Sequence, residues 1–348
     1  MLKSHSDIGK PLVSIALATY NGRTYLPELL ASLEAQSWPN LEVVVADDAS
    51  SDGTPALLAA HVGRVPVRLV GSGERVGIVG NFERALAGCR GEYIALADQD
   101  EVWAPEKITD LMHDVQRVES ARGKSTPALA FCDIELVDAS LSCLSKSLFD
   151  ITAKSRRAER LRDFLLSNHV PGCAMLLNRA ALARALPFPS GIVMHDWWLA
   201  MVVASFGEIR HVAAAHLKYR QHESNAVGAS ATNRRAEAGT RDECGQEAAE
   251  RRGASRRRQI EGIADQIRLF ARRFGPELPV DARADMHAFS RGIESWRGAF
   301  EFVLISHTGE TFVRAVKMMR RLRRNVLSFG VETQRPGFGR RLRRRRGA

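Results

Sequence analysis

Short apolar runs alternate with segments of helical spacing along the first 120 residues. Residues 13–19 form an apolar run that stops at the turn-forming pair Asn21-Gly22. Residues 23–36 place Leu26, Leu29, Leu30 and Leu33 on one helical face. The same alternation predicts strands at 41–46, 67–70 and 92–97 and helices at 54–62 and 78–88. A further helix starts near Pro105, a first-turn residue, and runs to about Ser120. Single helices between buried strands imply βαβ units and a mainly parallel sheet, whose ligands sit at the carboxyl ends of the strands.

The pattern beyond Pro127 is more mixed. Strands are predicted at 128–134, 174–178, 208–213 and 215–220, with helices at 158–166 and 195–205. Residues 228–253 are polar and read as a linker or loop; helical spacing returns at 255–274, 281–303 and 308–327. The expected organisation is a domain over 1–227, the linker 228–253, a helical extension over 254–330 and a basic, disordered tail over 331–348. No internal repeat is visible.

Charge divides the chain. Residues 231–348 hold 27 Lys/Arg against 14 Asp/Glu, so this part carries +13 of a total of +10 and leaves −3 on the rest. Such asymmetry points to an anionic partner for the tail. Residues 310–327 set Phe312, Val316 and Met319 on one side among Arg and Lys, which leaves two readings, a solvated helical bundle with charged faces and peripheral contact with anionic membrane, both ahead of nucleic acid. Without a basic motif interleaved with aromatics, and with an acidic sheet edge, no nucleic acid is expected. Five cysteines without a CxxC pair fit a reducing compartment. The polar first ten residues do not read as a signal peptide, and the longest apolar run, 197–206, is about half a membrane span. A cytoplasmic protein, peripheral at the inner face of the cytoplasmic membrane, is the expectation.

Polar clusters follow three predicted strands: Thr19-Tyr20-Asn21, Asp47-Asp48 and Asp98-Gln99-Asp100. A strand ending in Asp-x-Asp sets two carboxylates at a sheet edge, oriented to hold a hard divalent cation that offsets a pyrophosphate. In Asp47-Asp48-Ala49-Ser50-Ser51-Asp52-Gly53-Thr54, Asp52 is placed to cap a helix starting at Thr54 or Pro55, leaving Asp48 free to accept hydrogen bonds from a base or ribose. Residues 71–77 are glycine-rich, yet lack the Lys-Ser/Thr of a phosphate loop and the GxGxxG of a dinucleotide fold. Asp196 opens a strongly apolar helix. Its residues leave two readings open: a base whose proton affinity apolar flanks raise, or a carboxylate at a helix N-terminus, which the dipole would make more acidic.

Taken in order and spacing, these motifs resemble the family-2 nucleotide-sugar glycosyltransferases of GT-A fold, over roughly residues 11–225. The stretch from Asp98 through Trp103 to Ile108 is similar to a bacterial branch rich in rhamnosyltransferases, with Glu101 where that branch has Asp. So are Gly172-Cys173-Ala174-Met175-Leu176, His195-Asp196-Trp197-Trp198 and Tyr219-Arg220-Gln221-His222. The resemblance implies an α/β, Rossmann-like GT-A fold with a mainly parallel central sheet flanked by helices and a C-terminal helical extension. It implies a nucleotide pocket of Thr19, Tyr20, Asn21, Asp48 and Asp98, and Mg²⁺ or Mn²⁺ held by Asp100 and His222. Asp196 becomes the catalytic base, and Arg75, Asn81 and one of Trp197 and Trp198 become donor or acceptor contacts.

The implied reaction is inverting transfer of a sugar, rhamnose by analogy, from a nucleoside diphosphate sugar to a glycan or lipid-linked glycan in surface-polysaccharide assembly. The alternatives are a sugar nucleotidyltransferase, whose glycine-rich basic signature is missing, and a nucleotide-sugar-binding module without catalysis.

Overall fold

The computed structural model describes residues 9–71, 73–222, 244–306, 315–320 and 322, with 244–257 and Trp296 as backbone only. The strands are β1 (Val13–Thr19), β2 (Leu41–Asp47), β3 (Val67–Gly71), β4 (Tyr93–Ala97), β5 (Val102–Trp103), β6 (Ala128–Val137), β7 (Cys143–Ser145), β8 (Met175–Asn178) and β9 (Glu208–Arg220). They form one sheet in the order β3-β2-β1-β4-β8-β6-β9-β5, with β7 paired on β6. β1 to β4 run parallel, β8 reverses, and β6 and β9 return to the first direction. Six strands therefore deliver their carboxyl ends to one edge of the sheet.

The helices are α1 (Leu26–Glu34), α2 (Thr54–Ala59), α3 (Gly77–Gly88), α4 (Lys107–Arg122), α5 (Leu148–Ile151), α6 (Leu161–Phe164), α7 (Arg179–Ala185) and α8 (His195–Phe206). α9 (Cys244–Phe274), α10 (Val280–Glu294) and α11 (Trp296–Ile305) follow. The leucines predicted to share a face of α1 are all buried. α8 has no polar side to speak of. It lies between the sheet and the C-terminal helices, with Trp198 ring centroids 5.5 Å from Phe270 and 5.9 Å from Phe274. Ile263, Ile267 and Phe270 join the same apolar core as the sheet residues.

Several elements differ from the sequence pattern. The strands expected at 208–213 and 215–220 are one strand, β9, whose register against β6 shifts between Cys132 and Glu135. β5 was invisible because two residues carry no periodicity, yet it pairs with Lys218 and Leu217 and so carries the Asp98–Glu101 turn to the end of β9. Residues 244–253, expected in the linker, already belong to α9; their Ala, Glu, Gln and Arg are good helix formers. Residues 228–243 lie outside the described residues, as does the tail 331–348. The helix expected over 281–303 breaks at Ser295, which is extended and whose hydroxyl accepts the Gly298 N–H at 2.9 Å. Of the helix expected at 308–327, residues 315–320 are helical and most of the remainder is outside the described residues.

Candidate active site

The ends of β1 and β2 are bound to each other. Thr19 is buried and its hydroxyl donates to Asp47 at 2.8 Å, while Ser50 donates to the same carboxylate through its N–H and hydroxyl. Asn21 sits at φ 49°, and its side-chain oxygen accepts the Ser51 N–H at 2.9 Å. Asp52 accepts the N–H groups of Arg23 and Thr54. It thus satisfies the first N–H of α2 from one residue before Gly53, the N-cap at φ 91°. Asn81 is buried too, and its amide donates to the carbonyls of Thr19 at 3.2 Å and Ala46 at 3.0 Å. Thr19 and Asn21 of the expected pocket, and the amide nitrogen of the expected donor contact Asn81, are thus committed to holding the sheet edge together.

Tyr20 is exposed, at 39%, as is its neighbour Asn21. Gln99, the middle residue of the acidic triplet, holds its backbone in both directions, accepting the Tyr20 N–H at 2.9 Å and donating to its carbonyl at 3.0 Å. Gly22 permits this contact, since a Cβ there would meet the Gln99 side-chain oxygen at 2.2 Å. The Arg75 guanidinium lies 4.0 Å above the Tyr20 ring, and its Nε is 3.8 Å from Asp48. Asp48 is not left free as the sequence pattern implied. Its carboxylate accepts the N–H groups of Val76 at 2.6 Å and Gly77 at 3.1 Å, anchoring the segment that opens α3.

The next group is charged and buried. Burial pushes the Asp98 carboxyl well up, reinforced by Glu101, Asp100 and Asp196. Glu101 is fully buried and pushed up to about 7, burial outweighing the lowering by Lys107 and by the Trp103 indole N–H, which donates to it at 2.6 Å. Lys107 is fully buried as well. Its ammonium stands 3.2 Å over the Trp103 ring and donates to the Cys173 carbonyl at 2.5 Å. Asp98, Glu101 and Cys173 bring ligand-type atoms within 4.8 Å of one another. Lys107 supplies positive charge beside this cluster, which opposes the upward push of burial on Glu101 and Asp98.

Asp100 and His222 make a different pair. His222 Nε2 lies 2.9 Å from Asp100 Oδ2, with both side chains near 13–14% exposed. Neighbouring ligands of an octahedral cation at 2.0–2.1 Å sit about 3 Å apart, so these two donors have the spacing of adjacent ligands. One oxygen and one imidazole nitrogen suit Mn²⁺, and suit Mg²⁺ less well. Arg220 holds this geometry from below: its side chain donates to the Asp100 carbonyl at 3.2 Å and to the Ala139 carbonyl at 2.5 Å, and pairs with Glu28. Tyr25 packs on both, 4.5 Å from the Arg220 guanidinium and 4.8 Å from the His222 ring. Arg220 was legible only as one letter of a motif; its burial after a strand is the signal that composition hides.

Asp196 stands in the first turn of α8. Its two oxygens accept the N–H groups of Trp197 at 2.6 Å and Gly172 at 3.0 Å, and its charge raises Asp98. Lys154, which the sequence did not single out, lies within electrostatic reach of Asp196. It donates to the Asn168 carbonyl at 2.7 Å, and burial lowers its ammonium pKa. Neither tryptophan is free to stack on a sugar. Trp197 is buried with its indole N–H on the Phe164 carbonyl at 2.6 Å, and Trp198 is fully buried with its N–H on the Ala185 carbonyl at 3.2 Å.

Residues 14–121 match the family described as Glycosyl transferase family 2. The chain carries a glycosyl transferase family 2 domain. The matched segment holds Tyr20, Asp48, Asp98 and Asp100, whereas Asp196 and His222 lie beyond it. An uncharacterized protein of Mycobacterium tuberculosis is 28% identical over 232 residues, covering 64% of this chain and 62% of that protein. The chain therefore spans less than two thirds of that relative's length. The dTDP-rhamnosyl transferase RfbG of Shigella flexneri is 26% identical over 232 residues, 62% of this chain and 74% of RfbG. Staphylococcus aureus TarS superposes with a TM-score of 0.50 at 15% identity, over 91% of this chain and 53% of TarS. At that identity the likeness is one of fold, a GT-A architecture.

Proposed function

We propose that this chain is an inverting glycosyltransferase that moves a sugar from a nucleoside diphosphate to an acceptor hydroxyl in cell-surface polysaccharide assembly. The observation that carries the reading is the Asp100–His222 pair, drawn from the ends of β4 and β9 to 2.9 Å. It lies on the sheet edge that also presents Tyr20, with Asp196 close enough to raise Asp98. The donor nucleotide lies along the ends of β1 and β2, its base against Tyr20 and the Asp48-anchored segment. Asp100 and His222 hold Mg²⁺ or Mn²⁺, which when bound offsets the charge of the departing diphosphate.

Asp196 takes the proton of the acceptor hydroxyl. The acceptor oxygen forms its bond to the anomeric carbon from the face opposite the diphosphate, as the bond to the diphosphate oxygen breaks. One base and one cation suffice, so no covalent nucleophile is required. The name of RfbG makes a dTDP-linked rhamnose the first donor to test. Among the described residues no helix is long and apolar enough to cross a membrane. A lipid-linked acceptor would meet the enzyme at an anionic surface, towards which the +13 C-terminal part is attracted.

The test is nucleoside diphosphate release from dTDP-, UDP- and GDP-sugars with Mn²⁺, with Mg²⁺ and with chelator, followed by the anomeric configuration of the product. Acceptor-dependent, cation-dependent release with inverted configuration is expected. Retained configuration, or release indifferent to chelator, overturns the mechanism.

A further inference from the structure

His195 is a buried polar side chain, 4% exposed, whose ring makes no hydrogen bond among the described residues. Burial pushes the imidazole down to about 4, against the opposing effect of Asp196. Near neutral pH the ring therefore holds one N–H donor and one bare acceptor nitrogen. Both are shielded from bulk solvent without a protein partner among the described residues, a net cost to folding. Phenylalanine would keep the stack on Phe82, at 3.8 Å between centroids and 20° between planes, without that cost.

The position of the ring says what it is for. Nε2 faces Gly172, where an added Cβ would lie 3.2 Å from that nitrogen and 3.3 Å from the Asp196 Cβ. The N–H of the same glycine holds Asp196 at 3.0 Å. His195 and the proposed proton acceptor therefore share one neighbour, the first residue of the short 3-10 turn Gly172–Ala174. A side chain at 172 would close over both groups.

We infer that His195 is a substrate-binding residue whose imidazole hydrogen-bonds a sugar hydroxyl held beside Asp196. A hydroxyl is the matching chemistry because it donates and accepts at once, as a neutral imidazole does. A phosphate or carboxylate, which only accepts, would leave the bare ring nitrogen without a donor. The inference rests on the glycosyltransferase reading, and the hydroxyl belongs either to the transferred sugar or to the acceptor.

The experiment compares wild type with His195→Phe for thermal stability, for calorimetric binding of the nucleoside diphosphate and of the intact sugar nucleotide, and for acceptor KM. The Phe variant is expected to melt no lower than wild type and to bind the nucleoside diphosphate unchanged. A loss of about tenfold or more in sugar-nucleotide affinity assigns the hydroxyl to the transferred sugar, and a similar rise in acceptor KM assigns it to the acceptor. His195→Gln, which keeps a donor and an acceptor, should recover most of the loss. If the Phe variant does not fold, His195→Leu is read the same way. A folded apolar variant with both constants unchanged overturns the inference. Wild type that turns over no sugar nucleotide fails the glycosyltransferase reading instead.

Discussion

His222 and Asp100 stand 122 residues apart in the chain and meet at 2.9 Å. β5 and Arg220 make the meeting possible, one by pairing the turn after Asp98 to β9, the other by bonding the Asp100 carbonyl. The pair needs both the acidic triplet and the last residues of the domain.

Asp100→Ala and His222→Ala should each lower kcat by about a hundredfold or more, since each removes one ligand of the charge that meets the diphosphate. Titration with Mn²⁺ checks the cause: the apparent activation constant should rise in His222→Ala. Unchanged Mn²⁺ dependence in both variants would remove these residues from the cation site.

Asp196→Asn keeps the hydrogen-bond acceptor that meets the Gly172 N–H but cannot take a proton. We expect kcat to fall by about 10²–10⁴-fold with donor affinity preserved. Steady-state kinetics with calorimetry separates the two quantities, and near-normal kcat would reject Asp196 as the base.

Tyr20→Ala should weaken nucleoside diphosphate binding by about 1–3 kcal/mol, the usual worth of one base stacked on an aromatic ring. Arg75 lies 4.0 Å over that ring and Gln99 fixes its backbone, so the ring is presented whether or not a base covers it. Equal affinity in the variant would place the base elsewhere.

Glu101 and Lys107 should be separable from catalysis by stability. Burial raises Glu101 from 4.5 to about 7, so folded protein keeps a proton that the unfolded chain releases. Its contribution is therefore full below pH 4.5 and is lost as pH rises towards 7. Glu101→Gln should flatten that part of the stability profile, read by denaturant unfolding at several pH values. Lys107→Met removes the charge that opposes burial at Glu101, so the carboxyl should hold its proton to higher pH and the pH-dependent loss should shift upward. An unchanged stability profile in Lys107→Met would show that the two groups are not coupled.

Much of the fold was legible because burial follows local pattern. The strands at 13–19 and 41–46 are mostly apolar, broken by Ser14 and Glu42, and buried on both faces, and the leucines of α1 repeat at helical spacing. Short pieces escaped. β5 and β7, with two and three residues, exist only through their partners on β9 and β6. The candidate site was legible as a set of polar clusters after strands, and less so as a division of labour among them.

The sequence by itself determined the alternation of strands and helices, the single edge on which Tyr20, Asp48 and the Asp98–Asp100 turn emerge, and the apolar helix behind Asp196. These follow from local periodicity and from the direction that helix crossovers impose on strands. Tertiary structure decided which polar groups bond to one another and which face outward. Gln99 reaches Tyr20 across 79 residues and Arg220 reaches Glu28 across 192, while Asp48 turns to the backbone of Val76 and Gly77. The physical reason is that a buried hydrogen-bonding group takes whatever partner the fold brings within about 3 Å, and no local pattern records that choice.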